Sequence, residues 1–170
     1  MPVLTLSLPV ALGLLAVFLV IGAGGVVTGS DIKDVLDLGA AGVQMGTRFV
    51  ATNESSAPDA FKQMYVDATP DRIVIVKSPV GLPGRALKNP FWERTQEGDY
   101  PAIPRCISCL KECHKEYCIM NELELAQHGD VENGLVFAGS AAARVHDVLP
   151  VAELMAKLEA EWRVAEGERS

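Results

Sequence analysis

The chain has 170 residues, with 15 basic against 22 acidic side chains, a net charge of −7 and a pI near 4.9. That length suits one domain or part of a larger one, and a 49% hydrophobic content excludes wholesale disorder. The acidic balance argues against nucleic acid as a partner, because neutralising phosphates takes a basic surface. Four cysteines in one cluster do not make a disulfide-dense secreted scaffold.

No charged side chain precedes Asp31. The apolar run Pro2 to Ile21 is long enough for a membrane span, yet no Lys or Arg stands before it, and Pro9 and Gly13 interrupt it. Its end, Val17-Phe18-Leu19-Val20-Ile21, is β-branched and aromatic and stops at Gly22-Ala23-Gly24-Gly25. Such an ending is expected of a strand buried on both faces of a parallel sheet. A helix followed by a buried strand is therefore favoured, with a cytoplasmic location; membrane association through residues 2–21 is the alternative.

Thr28 and Asp31 have capping-box spacing, with Ser30 as an alternative cap, and predict a helix over Asp31 to Leu38. Ile32, Val35, Leu36 and Leu38 give it an apolar stripe, and Gly39 ends it. Gly42 to Gly46 is a second short strand closed by glycine. Strand, helix, strand implies a parallel βαβ unit.

Beyond Phe49 a helix is expected over Asp59 to Asp67, with Phe61, Met64 and Tyr65 along one side. Arg72 to Lys77 is a strand candidate, Gly81 to Gly84 a turn, and Arg85 to Asn89 a basic segment. Pro90 to Pro104 is loop-like. After the cysteines come a helix over Met120 to His128, a buried segment over Gly134 to Gly139, and a last helix from about Asp147 to Val164.

Two places could carry chemistry. Gly22-Ala23-Gly24-Gly25 follows the first strand, and a phosphate needs backbone N–H groups that no side chain screens. A dinucleotide fingerprint would need Gly or Ala at position 27, where Val27 stands. One βα unit later, Gln44-Met45-Gly46-Thr47-Arg48-Phe49 offers amides, a hydroxyl and an amide side chain. Arg48 has two readings, a structural ion pair or electrostatic help to a phosphate. The second place is Cys106-x-x-Cys109-x-x-x-Cys113-x-x-x-x-Cys118, four thiols within thirteen positions that could ligate zinc or an iron–sulfur cluster, pack as reduced cysteines, or form redox disulfides. His114, His128 and His146 are expected at the surface.

Ile21-Gly22-Ala23-Gly24-Gly25 with Gly42-Val43-Gln44-Met45-Gly46-Thr47-Arg48-Phe49 resembles the nitronate monooxygenase (2-nitropropane dioxygenase-like) flavoproteins. FMN-dependent enoyl-[acyl-carrier-protein] reductases of the same superfamily share the pattern. Further matches are Gly84-Arg85-Ala86-Leu87-Lys88-Asn89 and Gly134-Leu135-Val136-Phe137-Ala138-Gly139. The resemblance implies an α/β fold, the C-terminal part of a flavin-binding (β/α)₈ TIM barrel, incomplete and carrying a Cys-containing insertion. It implies FMN as cofactor, its phosphate held by Ala23, Gly24 and Gly25 on one side and Gln44, Met45, Gly46 and Thr47 on the other. The family's His-containing segment has no counterpart here, so no catalytic base is assigned and the chain resembles a truncated or split member.

The expected organisation is residues 1–50 as last barrel strands with the phosphate motifs, 51–133 as helix, extension and Cys-rich insertion, and 134–170 as closing segment and helix. Val20 and Val43 are expected to point into the barrel. The implied reaction is oxidation of an alkyl nitronate by dioxygen, with enoyl thioester reduction or a non-catalytic remnant as alternatives. Expected partners are the small substrate and O₂, no nucleic acid, and either a second copy or a separately encoded N-terminal half.

Overall fold

Thr28 starts the first helix as its spacing requires. Its hydroxyl accepts from the Asp31 amide at 3.2 Å, while Asp31 Oδ2 accepts from the amides of Val27 and Thr28, both at 2.9 Å. The helix ends at Gly39, whose φ of +93° few other residues adopt, and the amides of Gly39 and Ala40 close back on the carbonyls of Leu36 and Val35. Gly98 and Gly129 close two later helices with the same pair of bonds.

The computed structural model describes residues 19–109 and 111–167. In chain order its elements are β1 (Ile21–Ala23), α1 (Gly29–Asp37), β2 (Gly42–Gln44), α2 (Thr47–Val50), α3 (Asp59–Val66), β3 (Ile73–Val76), β4 (Gly84–Leu87), α4 (Pro90–Gln96), α5 (Ile119–Gln127) and α6 (Val151–Gly167). The fold is α/β. The expected span or helix in residues 2–21 lies outside the described residues for all but its last three positions. No helix among the described residues is long and apolar enough to cross a membrane.

β1 and β2 pair in parallel with Ile21 opposite Gly42 and Ala23 opposite Gln44, the arrangement predicted by the βαβ pattern. α1 packs against β2 on one side and against α6 on the other. The α1–α6 crossing is tight at Gly29, where an added Cβ would overlap the main chain of Leu158 and Trp162. The Gly29 amide donates to Glu161 Oε2 at 2.8 Å.

β3 and β4 form an antiparallel hairpin, Ile73 opposite Leu87 and Val76 opposite Gly84. The buried segment after Gly134 runs along the other side of β4. The Leu87 amide donates to the Val136 carbonyl at 2.9 Å and the Ala138 amide to the Arg85 carbonyl at 3.0 Å. One core joins Tyr65, Leu87, Ala126 and Val136, and a second joins Val76, Phe91, Tyr117 and Leu135. Burial pushes the Tyr65 hydroxyl up to about 12, and it donates to the Phe137 carbonyl at 2.5 Å.

Three expectations are corrected. The stretch from Pro90 is not loop-like throughout: Asn89 caps α4 by accepting from the Trp92 amide at 3.0 Å, and Pro90 occupies its first turn. The last helix begins at Val151 rather than Asp147, because the residue before Pro150 is steered into extended conformation. Val43 does not point into a barrel interior; it faces the helices, in a groove of about 690 Å³ lined also by Ile32, Leu36, Phe49 and Trp162.

Candidate functional site

The parallel register sets the geometry of the glycine turns. With Ala23 directly opposite Gln44, the chain leaves both strands at the same end of the sheet and at the same level. Gly24 and Gly25, at φ +84° and +79°, turn away from β1, while Gly46 and Thr47 turn away from β2 into α2. Strands in such a pair lie about 4.8 Å apart, a spacing one phosphate can bridge.

An added Cβ at Gly24, Gly25 or Gly46 would meet no atom within 4 Å, so each faces open space. Ala23, Gly24, Gly25, Gln44 and Gly46 are exposed, and Met45 and Thr47 are half-buried. The structure thus brings together all seven residues expected at the phosphate.

Other elements brace this end of the sheet. Arg144 donates to the Gly25 carbonyl at 3.3 Å and to Asp31 Oδ1 at 2.9 Å, tying the first turn to α1. Burial pushes the Asp31 carboxyl up, but the Arg144, Val27 and Thr28 hydrogen bonds outweigh it and hold the group below its ordinary value. Gly139 abuts Thr47 so closely that a Cβ there would overlap the hydroxyl.

Arg48 resolves to its structural reading. It is 4% exposed, its guanidinium pairs with Asp147 Oδ1, and it also donates to the carbonyls of Asp147 at 3.2 Å and Ala51 at 3.4 Å. Asp147 Oδ2 takes Lys157 at 3.0 Å. Sequence reasoning missed both Arg144 and Asp147, which lie about a hundred positions from the residues they hold; no local pattern marks such pairs.

The cysteines do not build the expected centre. All four are free, Cys106 and Cys109 exposed and Cys113 and Cys118 half-buried. Among the described residues no three His, Cys, Asp or Glu side chains are grouped to hold a metal ion, so the zinc or iron–sulfur expectation is not supported. The physical reason is local: among the described residues of 106–113 there is no helix or strand, so no regular element holds the thiolates at ligand distance from one point. His114, His128 and His146 are exposed, as expected.

A family model for nitronate monooxygenase matches residues 10–161. The chain belongs to the nitronate monooxygenase family. It is 32% identical over 150 residues to a nitronate monooxygenase of Pseudomonas aeruginosa, covering 85% of this chain and 39% of the relative. It is also 42% identical over 79 residues to a (3aS,4S,5R,7aS)-5-hydroxy-7a-methyl-1-oxo-octahydro-1H-indene-4-carboxyl-CoA dehydrogenase of Mycobacterium tuberculosis, covering 46% of this chain and 22% of the relative. Among solved structures, FabK from Thermotoga maritima superposes with a TM-score of 0.72 at 28% identity, covering 89% of this chain and 46% of that one. Nitroalkane oxidase from Streptomyces ansochromogenes gives 0.69 at 28% identity, covering 91% and 42%. The chain therefore spans less than half the length of each of these family relatives and structural neighbours.

Proposed function

We propose that this nitronate monooxygenase family chain forms the phosphate-binding end of an FMN-dependent (β/α)₈ barrel that oxidises alkyl nitronates with dioxygen. The observation that carries the proposal is the Ala23–Gln44 register, which sets two glycine turns side by side with open space above each. The residues present fit a phosphate: backbone amides of Gly24, Gly25, Gly46 and Thr47 with no side chain in the way, and the Thr47 hydroxyl as a further donor. Gln44, exposed at the strand end, offers a donor and an acceptor to the edge of a flat heterocycle.

Bound there, the flavin would supply a two-electron acceptor for the nitronate carbon and a donor to dioxygen. The protein's part is positional. Arg144 and Asp31 fix the first turn, Gly139 and the Arg48–Asp147 pair fix the second, and neither turn has to reorganise when a dianion arrives. No catalytic base is assigned among the described residues, and the base and the walls around the ring are placed in the part of the barrel that complements these strands. The apolar groove at Val43 and Phe49, with the Trp162 indole N–H buried in it and unpartnered among the described residues, suits packing against such a complement or a second copy.

A second reading, FMN-dependent reduction of an enoyl thioester, draws support from the FabK superposition and from the 42% identity to a relative named as a CoA thioester dehydrogenase. The phosphate grip serves both. The test is FMN binding to the chain and to Gly46→Asp, which sets a carboxylate beside the phosphate; binding should be abolished, and unchanged affinity would overturn the placement. Assays with nitronate and with enoyl thioester, in the presence of the complementary barrel half, then separate the two reactions. Turnover with neither substrate would reject both.

A further inference from the structure

The cysteines, although no metal-holding group is found among the described residues, are not scattered. All four line one cavity of about 250 Å³, walled by Pro79, Ile103, Tyr117 and Met120. Cys106 and Cys109 stand exposed on it. Among the described residues, Ser108 and Lys115 are the non-glycine positions with positive φ, 53° and 55°. Each lies between two cysteines of the cluster, where a left-handed residue reverses the chain and lets its neighbours face a common space. The charged groups lining the cavity are Lys111 and Lys115, both basic, in a chain whose net charge is −7.

We propose that Cys106 and Cys109 form a thiol–disulfide exchange site for small anionic disulfides. Solvent exposure of both residues, a two-residue spacer with a reversed backbone, and a basic lining in an acidic protein are what such a reaction needs. In the first step the Cys106 thiolate attacks one sulfur of the small disulfide. An S–S bond forms to the protein, the small S–S bond breaks, and the leaving thiolate takes up a proton. In the second step the Cys109 thiolate attacks Cys106 Sγ and expels the second small thiol. The protein loses two electrons and two protons as the Cys106–Cys109 disulfide, and one small disulfide becomes two thiols. Cys113 and Cys118, half-buried deeper in the segment, remain reduced.

The experiment uses the full chain with glutathione disulfide, which is anionic, and cystamine, which is cationic. Glutathione disulfide should leave two of the four thiols titratable, lower the protein mass by about 2 Da, and give a Cys106–Cys109 bond on peptide mapping. At low salt it should react about tenfold faster than cystamine, and Lys111→Glu with Lys115→Glu should remove that preference. Cys109→Ser should stop at a glutathione adduct on Cys106, and Cys106→Ser should form no internal disulfide. Both cysteines are exposed, so the variants should keep the circular dichroism of the parent. Four surviving thiols, a bond between another pair, or an adduct that never closes in the parent chain would overturn the proposal.

Discussion

Replacing Arg48 with Met separates the two roles an arginine beside a phosphate turn can have. The guanidinium is 4% exposed and makes an ion pair with Asp147 and hydrogen bonds to the carbonyls of Asp147 and Ala51. Removing one member of a fully buried pair costs about 3–5 kcal/mol, because the other charge is left stranded. Here Asp147 is 37% exposed and keeps Lys157 at 3.0 Å, so it is not stranded. The remaining loss is mainly two main-chain acceptors at a buried site, offset by the apolar stem of Met, which places the cost at about 2–3 kcal/mol.

In a chain of this length that lowers the melting temperature by about 5–10 °C. The penalty also depends on pH. Partial burial pushes the Asp147 carboxyl up, but Lys157 and Arg48 outweigh it and hold it below its ordinary value. A carboxyl depressed in the folded state stabilises above its unfolded pKa, and that contribution is lost as pH falls through the folded one. The gap between parent and Arg48→Met should therefore be widest near neutrality and narrow in acid. Thermal unfolding across pH, with FMN affinity measured beside it, is the assay. Unchanged stability together with a large loss of FMN affinity would refute the structural role and make Arg48 a phosphate ligand.

Glu122→Met should stabilise the protein near neutral pH by about 1–3 kcal/mol, since Glu122 is 1% exposed and its Oε2 has no hydrogen-bond partner among the described residues. Burial pushes this group up, against the lowering by Asn121 and Arg94. Its favourable contribution thus disappears as pH rises through the folded value, and the gain should shrink in mild acid, as chemical denaturation will show. Gly29→Ala should destabilise by about 1–3 kcal/mol or more, measured the same way, because the new methyl overlaps the main chain of Leu158 and Trp162.

Legibility in the sequence followed the range of the interactions. The capping box at Thr28 and Asp31, the C-terminal glycine at 39 and the parallel pair around it are decided within about twenty residues, and each could be predicted. The α4 helix was legible in principle, since Asn89-Pro90 is a cap followed by a favoured first-turn residue, but the prolines at 101 and 104 pulled the whole stretch toward loop. The Arg85 to Asn89 segment reads as basic, yet Ala86 and Leu87 are core because β4 is sandwiched between β3 and the chain after Gly134. The seven residues proposed to hold the phosphate could be nominated because glycine turns at strand ends are a local feature. Arg144, Asp147 and Gly139, which brace those turns, arrive from far along the chain and carry no local mark. The cysteine spacing suggested a metal centre, but among the described residues of 106–113 no helix or strand holds the thiolates at ligand distance.

The central claim is that Gly24, Gly25, Gly46 and Thr47 together grip a flavin phosphate. Parallel titrations with FMN and with riboflavin, followed through backbone amide signals, test it most directly, because the two ligands differ only in that phosphate. The account predicts that FMN binds at least about a hundredfold more tightly, the margin several charge-assisted hydrogen bonds give. It also predicts that the largest amide shifts fall at residues 24–26 and 46–47. Equal affinities, or shifts centred elsewhere, would contradict it.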